Sequence, residues 1–154
     1  MIIRFTKKEH RCQLTYQRHD GEMVVADLGP DLPGHDLAHF VMEQALGMKA
    51  GFYGNLYAGY SMAQLGDKHV IYQLPVETMI AEVATRALQS LAGGACKQTE
   101  FNELINLELS GMATDFRINL PPEKITQLME DYQHLIQRWN ALPLGETLGV
   151  EMVF

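Results

Sequence analysis

Residues 2–28, IIRFTKKEHRCQLTYQRHDGEMVVADL, decide the fold. The runs IIRF, CQLTYQ and EMVVADL alternate apolar and polar side chains with a period of two. Successive side chains of a strand point to opposite faces, so this alternation marks strands buried on one side only. Three such runs in close succession predict a three-stranded antiparallel meander. The second connection, Arg18-His19-Asp20-Gly21, supplies an Asp-Gly pair, which tolerates the positive φ of a tight hairpin turn.

Beyond the meander the apolar period lengthens to that of a helix. A run from about Leu32 to Leu46 has Asp31 as its expected N-cap, Pro33 in the first turn and Gly47 as its stop. The segment 47–60, GMKAGFYGNLYAGY, interleaves glycines with aromatics. It reads either as a tightly packed turn leading into a short helix or as a loop that covers a ligand. Val76, Met79, Ile80, Val83, Ala84, Ala87, Leu88 and Leu91 form one helical stripe, and Phe101, Leu104, Ile105 and Leu109 form another. After Pro121-Pro122, Ile125, Leu128, Tyr132, Leu135, Ile136 and Trp139 recur at helical spacing until Pro143 and Gly145 break it. The tail ETLGVEMVF reads as a last strand. The expected class is α+β: an N-terminal three-stranded antiparallel meander, about four helices, and a C-terminal strand rejoining the sheet, all in one domain of residues 1–154.

With 154 residues, 47% hydrophobic and 20% charged, the chain has the composition of a folded protein and enough length to bury a core. No apolar stretch approaches the roughly 20 residues of a membrane span, and the N-terminus has the wrong order of charge and apolar run for a signal peptide. Cys12 and Cys96 lack metal-type spacing and read as free thiols, which fits a cytoplasmic protein. A net charge of −7 argues against nucleic acid as partner. The charge is unevenly placed: residues 1–19 carry a net +4 from Arg4, Lys7, Lys8, Arg11, Arg18 and Glu9, leaving −11 for the rest. Partners are otherwise open, a homo-oligomer included.

The chemically pointed feature is the helix 32–46. At 100° per residue, with His35 at 0°, His39 falls at about 40°, Glu43 at about 80° and Asp36 at about 100°. No Lys or Arg lies between residues 32 and 48. A solvated face usually mixes both signs, whereas this one carries imidazoles and carboxylates, all metal ligands or proton carriers. Two histidines four residues apart can bridge one divalent ion of the zinc type, and Glu43 is the third candidate ligand or a carboxylate orienting one of the histidines. One straight helix cannot surround an ion, so a further group must come from elsewhere, with Glu77, Glu82, Glu103 and Glu108 as candidates. Asp36 is the candidate catalytic carboxylate, positioning a water or a histidine. The plainer alternative is a solvated face on an otherwise buried helix. His10, His19, His69 and His134 are expected at the surface, and Cys96, after Gly93-Gly94-Ala95, is a weaker nucleophile candidate.

GHDLAHF resembles the zinc-metalloprotease pattern H-E-x-x-H, with Asp36 at the position of the glutamate base and one methylene shorter. The wider stretch HDLAHFVMEQALG followed by GFYG resembles an uncharacterised family of small bacterial proteins with an HDLxHxxxE core followed by Gly-Phe-aromatic-Gly. The similarity takes in the preceding hairpin and the late Arg138 to Pro143 segment. It implies the domain boundaries and draws attention to the motif, without implying an activity. Two functional readings follow. One is a small intracellular domain that binds a divalent metal through His35, His39 and Glu43, hydrolysis being a reaction such a site can serve. The other is a non-enzymatic interaction or regulatory module that docks acidic partners through its basic hairpin.

Overall fold

In a computed structural model that describes residues 1–30 and 33–154, the three alternating runs are strands β1 (Ile2–Lys8), β2 (Arg11–Gln17) and β3 (Met23–Asp27). Ile3 and Phe5 of β1 and Cys12, Leu14 and Tyr16 of β2 are buried while their sequence neighbours face outward. Gly21 takes φ 87° in the second hairpin, where Arg18 N–H donates to Glu22 C=O at 2.8 Å. The first hairpin turns at Glu9-His10 without a glycine, and His10 adopts φ 56°. The final strand, β4 (Thr147–Glu151), pairs antiparallel with β1, Phe5 opposite Leu148, which gives the order β3-β2-β1-β4. The tail thus rejoins the sheet at its free β1 edge, as expected.

The helices are α1 (Gly34–Leu46), α2 (Phe52–Ala58), α3 (Met62–Leu65), α4 (Lys68–Ile71), α5 (Val76–Ala92), α6 (Phe101–Leu109) and α7 (Pro122–Ala141), with a turn of 3-10 helix at Gln98–Glu100. The expected N-cap Asp31, and Leu32 with it, lie outside the described residues. Pro33 occupies the position before the first helical residue rather than the first turn, and Gly47 ends α1 in the left-handed region at φ 64°. Segment 47–60 resolves as a packed turn and the short helix α2. Together with α2, the two four-residue helices α3 and α4 raise the count above the expected four. Neither holds a buried residue, so neither leaves an apolar stripe in the sequence.

Helix α1 packs against α5 and α7, and the inner sheet face joins the helices in one contiguous core. Burying a side chain such as Phe5 or Leu88 within it contributes about 1.5–3 kcal/mol. Three of the five cations of the basic segment, Lys7, Arg11 and Arg18, have partners within the fold. Lys7 Nζ donates to the carbonyls of Trp139 and Leu142 at 3.1 and 2.9 Å, complementing the negative end of α7, and lies over the Trp139 ring. Arg11 pairs with Asp27 and Arg18 with Glu22, each at 2.6 Å. Among the described residues no helix is long and apolar enough to cross a membrane.

Candidate metal centre

Helix α1 lies between α5 and α7, so few of its directions face solvent. His35 and His39, one turn apart, stand edge to face with ring centroids 4.7 Å apart. His39 is 4% exposed, whereas the His35 ring reaches the surface. The donor role of each Nδ1 follows from its neighbour. His39 Nδ1 donates to Glu43 Oε1 at 2.9 Å, since a carboxylate can only accept. His35 Nδ1 lies 3.0 Å from Gln89 Oε1, an amide oxygen, and donates likewise. Both rings therefore turn Nε2 away from their own helix.

Glu43, one further turn along, is fully buried. Oε1 also accepts from Phe52 N–H at 2.7 Å, and Oε2 accepts from Tyr53 N–H at 3.0 Å. These are orphan donors of the first turn of α2, so the carboxylate of one helix caps the next. The adjoining turn is held the same way: Glu77 accepts from Lys49 and Ala50 N–H, and Asn55 donates to the carbonyls of Ala50 and Gly51. Gly51 is required because a Cβ there would lie 2.4 Å from Glu43 Cδ. Gly54 is required because a Cβ would lie 2.1 Å from the Lys49 carbonyl oxygen. Between them the Phe52 ring lies 5.0 Å from the His39 ring, and Tyr53 Oη donates to the Asp36 carbonyl at 2.9 Å. The HDLxHxxxE and Gly-Phe-aromatic-Gly halves of the sequence pattern are thus one structural unit, joined through the Glu43 carboxylate.

The third polar group comes from α5. Glu82 Oε2 lies 3.2 Å from His39 Nε2 and 3.4 Å from His35 Nε2, while Oε1 faces Arg86 Nε at 3.6 Å. One potential ligand atom from each of His35, His39 and Glu82 falls within 4.8 Å of the other two, a group that could hold a metal ion. Burial disfavours a charged His39, but the hydrogen bonds and negative charges of Glu43 and Glu82 outweigh it and hold its pKa up at about 9. The Glu82 hydrogen bond also raises His35, against burial and the charge on His39. The same two imidazoles keep the Glu82 carboxyl well below its ordinary range. A cleft of about 270 Å³ opens beside this group, with His39 and Glu82 on its wall together with Phe52, Met79 and Ile71.

Of the expected site residues, His35 and His39 come together with Glu82, one of the four carboxylates considered. Glu43 lies on the Nδ1 side of His39, opposite to Glu82, and acts as an orienting carboxylate and helix cap. Asp36 is half-buried and does not line the cleft; burial raises its pKa, and its charge is felt by Cys12 and Tyr53. The position of the glutamate base in the metalloprotease pattern is therefore not part of the histidine–Glu82 group, although its charge acts on both imidazoles. Glu77 serves the α1–α2 turn, Glu108 pairs with Arg86, and Glu103 is exposed. Cys96 has its pKa raised by burial and then by Glu100, the opposite of an activated thiol. The four other histidines are exposed, as expected. Gln89 escapes the sequence reading, although its place two turns after Glu82 on one helix face is the signal that points to it.

The chain matches no protein-family model, no curated protein and no solved structure. Its chemistry is therefore read from the geometry of its own side chains.

Proposed function

We propose that this chain is a metal-binding domain in which His35, His39 and Glu82 hold one divalent cation of the zinc type, with the remaining coordination positions facing the cleft. The observation that carries this reading is the arrangement of the two imidazoles. Each has its Nδ1 satisfied by an orienting acceptor, Glu43 or Gln89, while both Nε2 atoms converge on a single oxygen of Glu82. Metal-binding histidines characteristically donate their second nitrogen to a carboxylate or amide oxygen, which fixes the ring and raises its basicity. Two imidazoles and one carboxylate are a borderline nitrogen and oxygen donor set, suited to zinc and its first-row neighbours rather than to magnesium or calcium.

An ion held there supplies Lewis acidity and lowers the pKa of a water it carries, the chemistry of metal-assisted hydrolysis. The protein's own contribution is orientation and charge. Glu43 and Gln89 hold the rings, Phe52 covers one face of His39, and Arg86 steadies the second oxygen of Glu82.

Elemental analysis and zinc titration of protein purified without an affinity tag test the proposal. One equivalent of metal is expected, with affinity falling at least about 100-fold in His39→Ala and in Glu82→Gln. No stoichiometric uptake under metal-replete conditions overturns it, as does uptake unchanged in the half-exposed Glu82→Gln variant.

A further inference from the structure

We propose that the cleft beside His39 and Glu82 binds a small amphiphilic anion, an apolar aliphatic or aryl body bearing one terminal negative charge. The proposal rests on the metal reading only for what the inner end of the ligand meets; the ligand class follows from the cleft wall.

Helices α3 and α4 hold no buried residue, yet Leu65, Ile71 and, just past the end of α4, Tyr72 line the cleft. Tyr72 is 81% exposed. Phe52 and Met79 line it as well. A segment with little core packing of its own gains stability when an apolar body fills the space between these side chains, at about 25 cal/mol per Å² of apolar surface covered. The volume of about 270 Å³ sits just below the usual range for small-molecule sites, so the body is small.

The sign of the charge comes from Lys68. It lines the cleft from the first turn of α4, and among the described residues its ammonium forms no ion pair or hydrogen bond. Glu82, the carboxylate on the cleft wall, is already engaged by His39 Nε2 at 3.2 Å, His35 Nε2 at 3.4 Å and Arg86 Nε at 3.6 Å. On a protein of net charge −7, an unpaired lysine beside an apolar wall favours an anion and disfavours a cation. The ligand therefore lies with its apolar body between Phe52 and Ile71 and its charge toward Lys68.

The test uses octanoate and octylammonium below their micelle concentrations, titrated into the metal-free protein at low ionic strength and followed by amide chemical shifts. Saturable octanoate binding is expected, with shifts confined to the cleft residues and affinity about three- to fivefold tighter than that of octylammonium. Lys68→Met, at an exposed position, should abolish that preference, and Ile71→Ser, which removes apolar wall without adding charge, should weaken both ligands. Equal or reversed preference, no saturable octanoate binding, or a preference that survives Lys68→Met overturns the proposal. Because these titrations contain no metal, absence of zinc uptake with the octanoate preference intact removes the metal reading alone. Zinc uptake without the preference removes this one alone.

Discussion

Glu43 Oε1 lies 2.9 Å from Nδ1 of His39, and the same carboxylate accepts the N–H groups of Phe52 and Tyr53. A single buried side chain thus sets the orientation of the histidine and the start of the following helix. Fixing the ring and fixing the fold are inseparable at this point.

Removal of the Glu43 carboxylate should therefore cost stability directly. Glu43→Ala leaves two helix N–H donors and a buried imidazole without their acceptor, for an expected loss of about 3–5 kcal/mol. Glu43→Gln keeps one acceptor oxygen and should lose roughly half as much. Urea denaturation of the metal-free proteins measures both; an alanine variant within about 1 kcal/mol of wild type would contradict the capping role.

The two glycines of the GFYG segment should each resist replacement, for different reasons. Gly51→Ala drives its Cβ into the Glu43 carboxylate, and Gly54→Ala drives it into the Lys49 carbonyl. Each is expected to destabilise by about 1–3 kcal/mol or more through overpacking. Only Gly51→Ala should also move the His39 ring signals in NMR spectra, because only there does the displaced group hold that ring.

Stability of the metal-free protein should fall with rising pH across the alkaline range. His39 faces Glu43, Glu82, His35 and Asp36, and its folded pKa of about 9 lies above its ordinary 6.5. The folded state binds the proton more tightly than the unfolded chain. That stabilisation is complete below about pH 6.5 and disappears as pH rises through about 9, a loss of roughly 3 kcal/mol. Glu82, with its pKa lowered from 4.5, behaves oppositely, stabilising above that value and ceasing to do so as pH falls. Urea midpoints at pH 6 and 9.5 should differ accordingly, and His39→Gln should flatten the alkaline decline. Zinc affinity should run the other way, rising with pH as the proton on His39 is displaced.

The two thiols should separate cleanly in alkylation. Cys12 is 1% exposed, and its pKa is pushed up to about 12 by burial and then by Asp36 and Asp27. Cys96 lies partly open to solvent. A disulfide reagent at mildly alkaline pH should modify one thiol in the folded protein, lost in Cys96→Ser, and the second only on unfolding. Two fast thiols would show that the inner sheet face opens readily.

The sequence by itself determined what local geometry can encode. Period two in residues 2–28 became β1 to β3, and Asp20-Gly21 became a turn with Gly21 at φ 87°. The stripes beginning at Val76, Phe101 and Ile125 became α5, α6 and α7, and the spacing of His35 and His39 placed both rings on one arc of α1. Such features repeat over a few residues and depend on the chain's own dihedral angles. Tertiary structure alone decided which glutamate joins the histidines. Glu77, Glu82, Glu103 and Glu108 carry the same chemistry, and the choice of Glu82, 43 residues from His39, is set by how α5 packs against α1. The capping role of Glu43 was hidden for the same reason. Helical spacing puts it on the histidine face, but the N–H groups of Phe52 and Tyr53 become its partners only when the chain reverses at Gly47 and brings α2 back against α1.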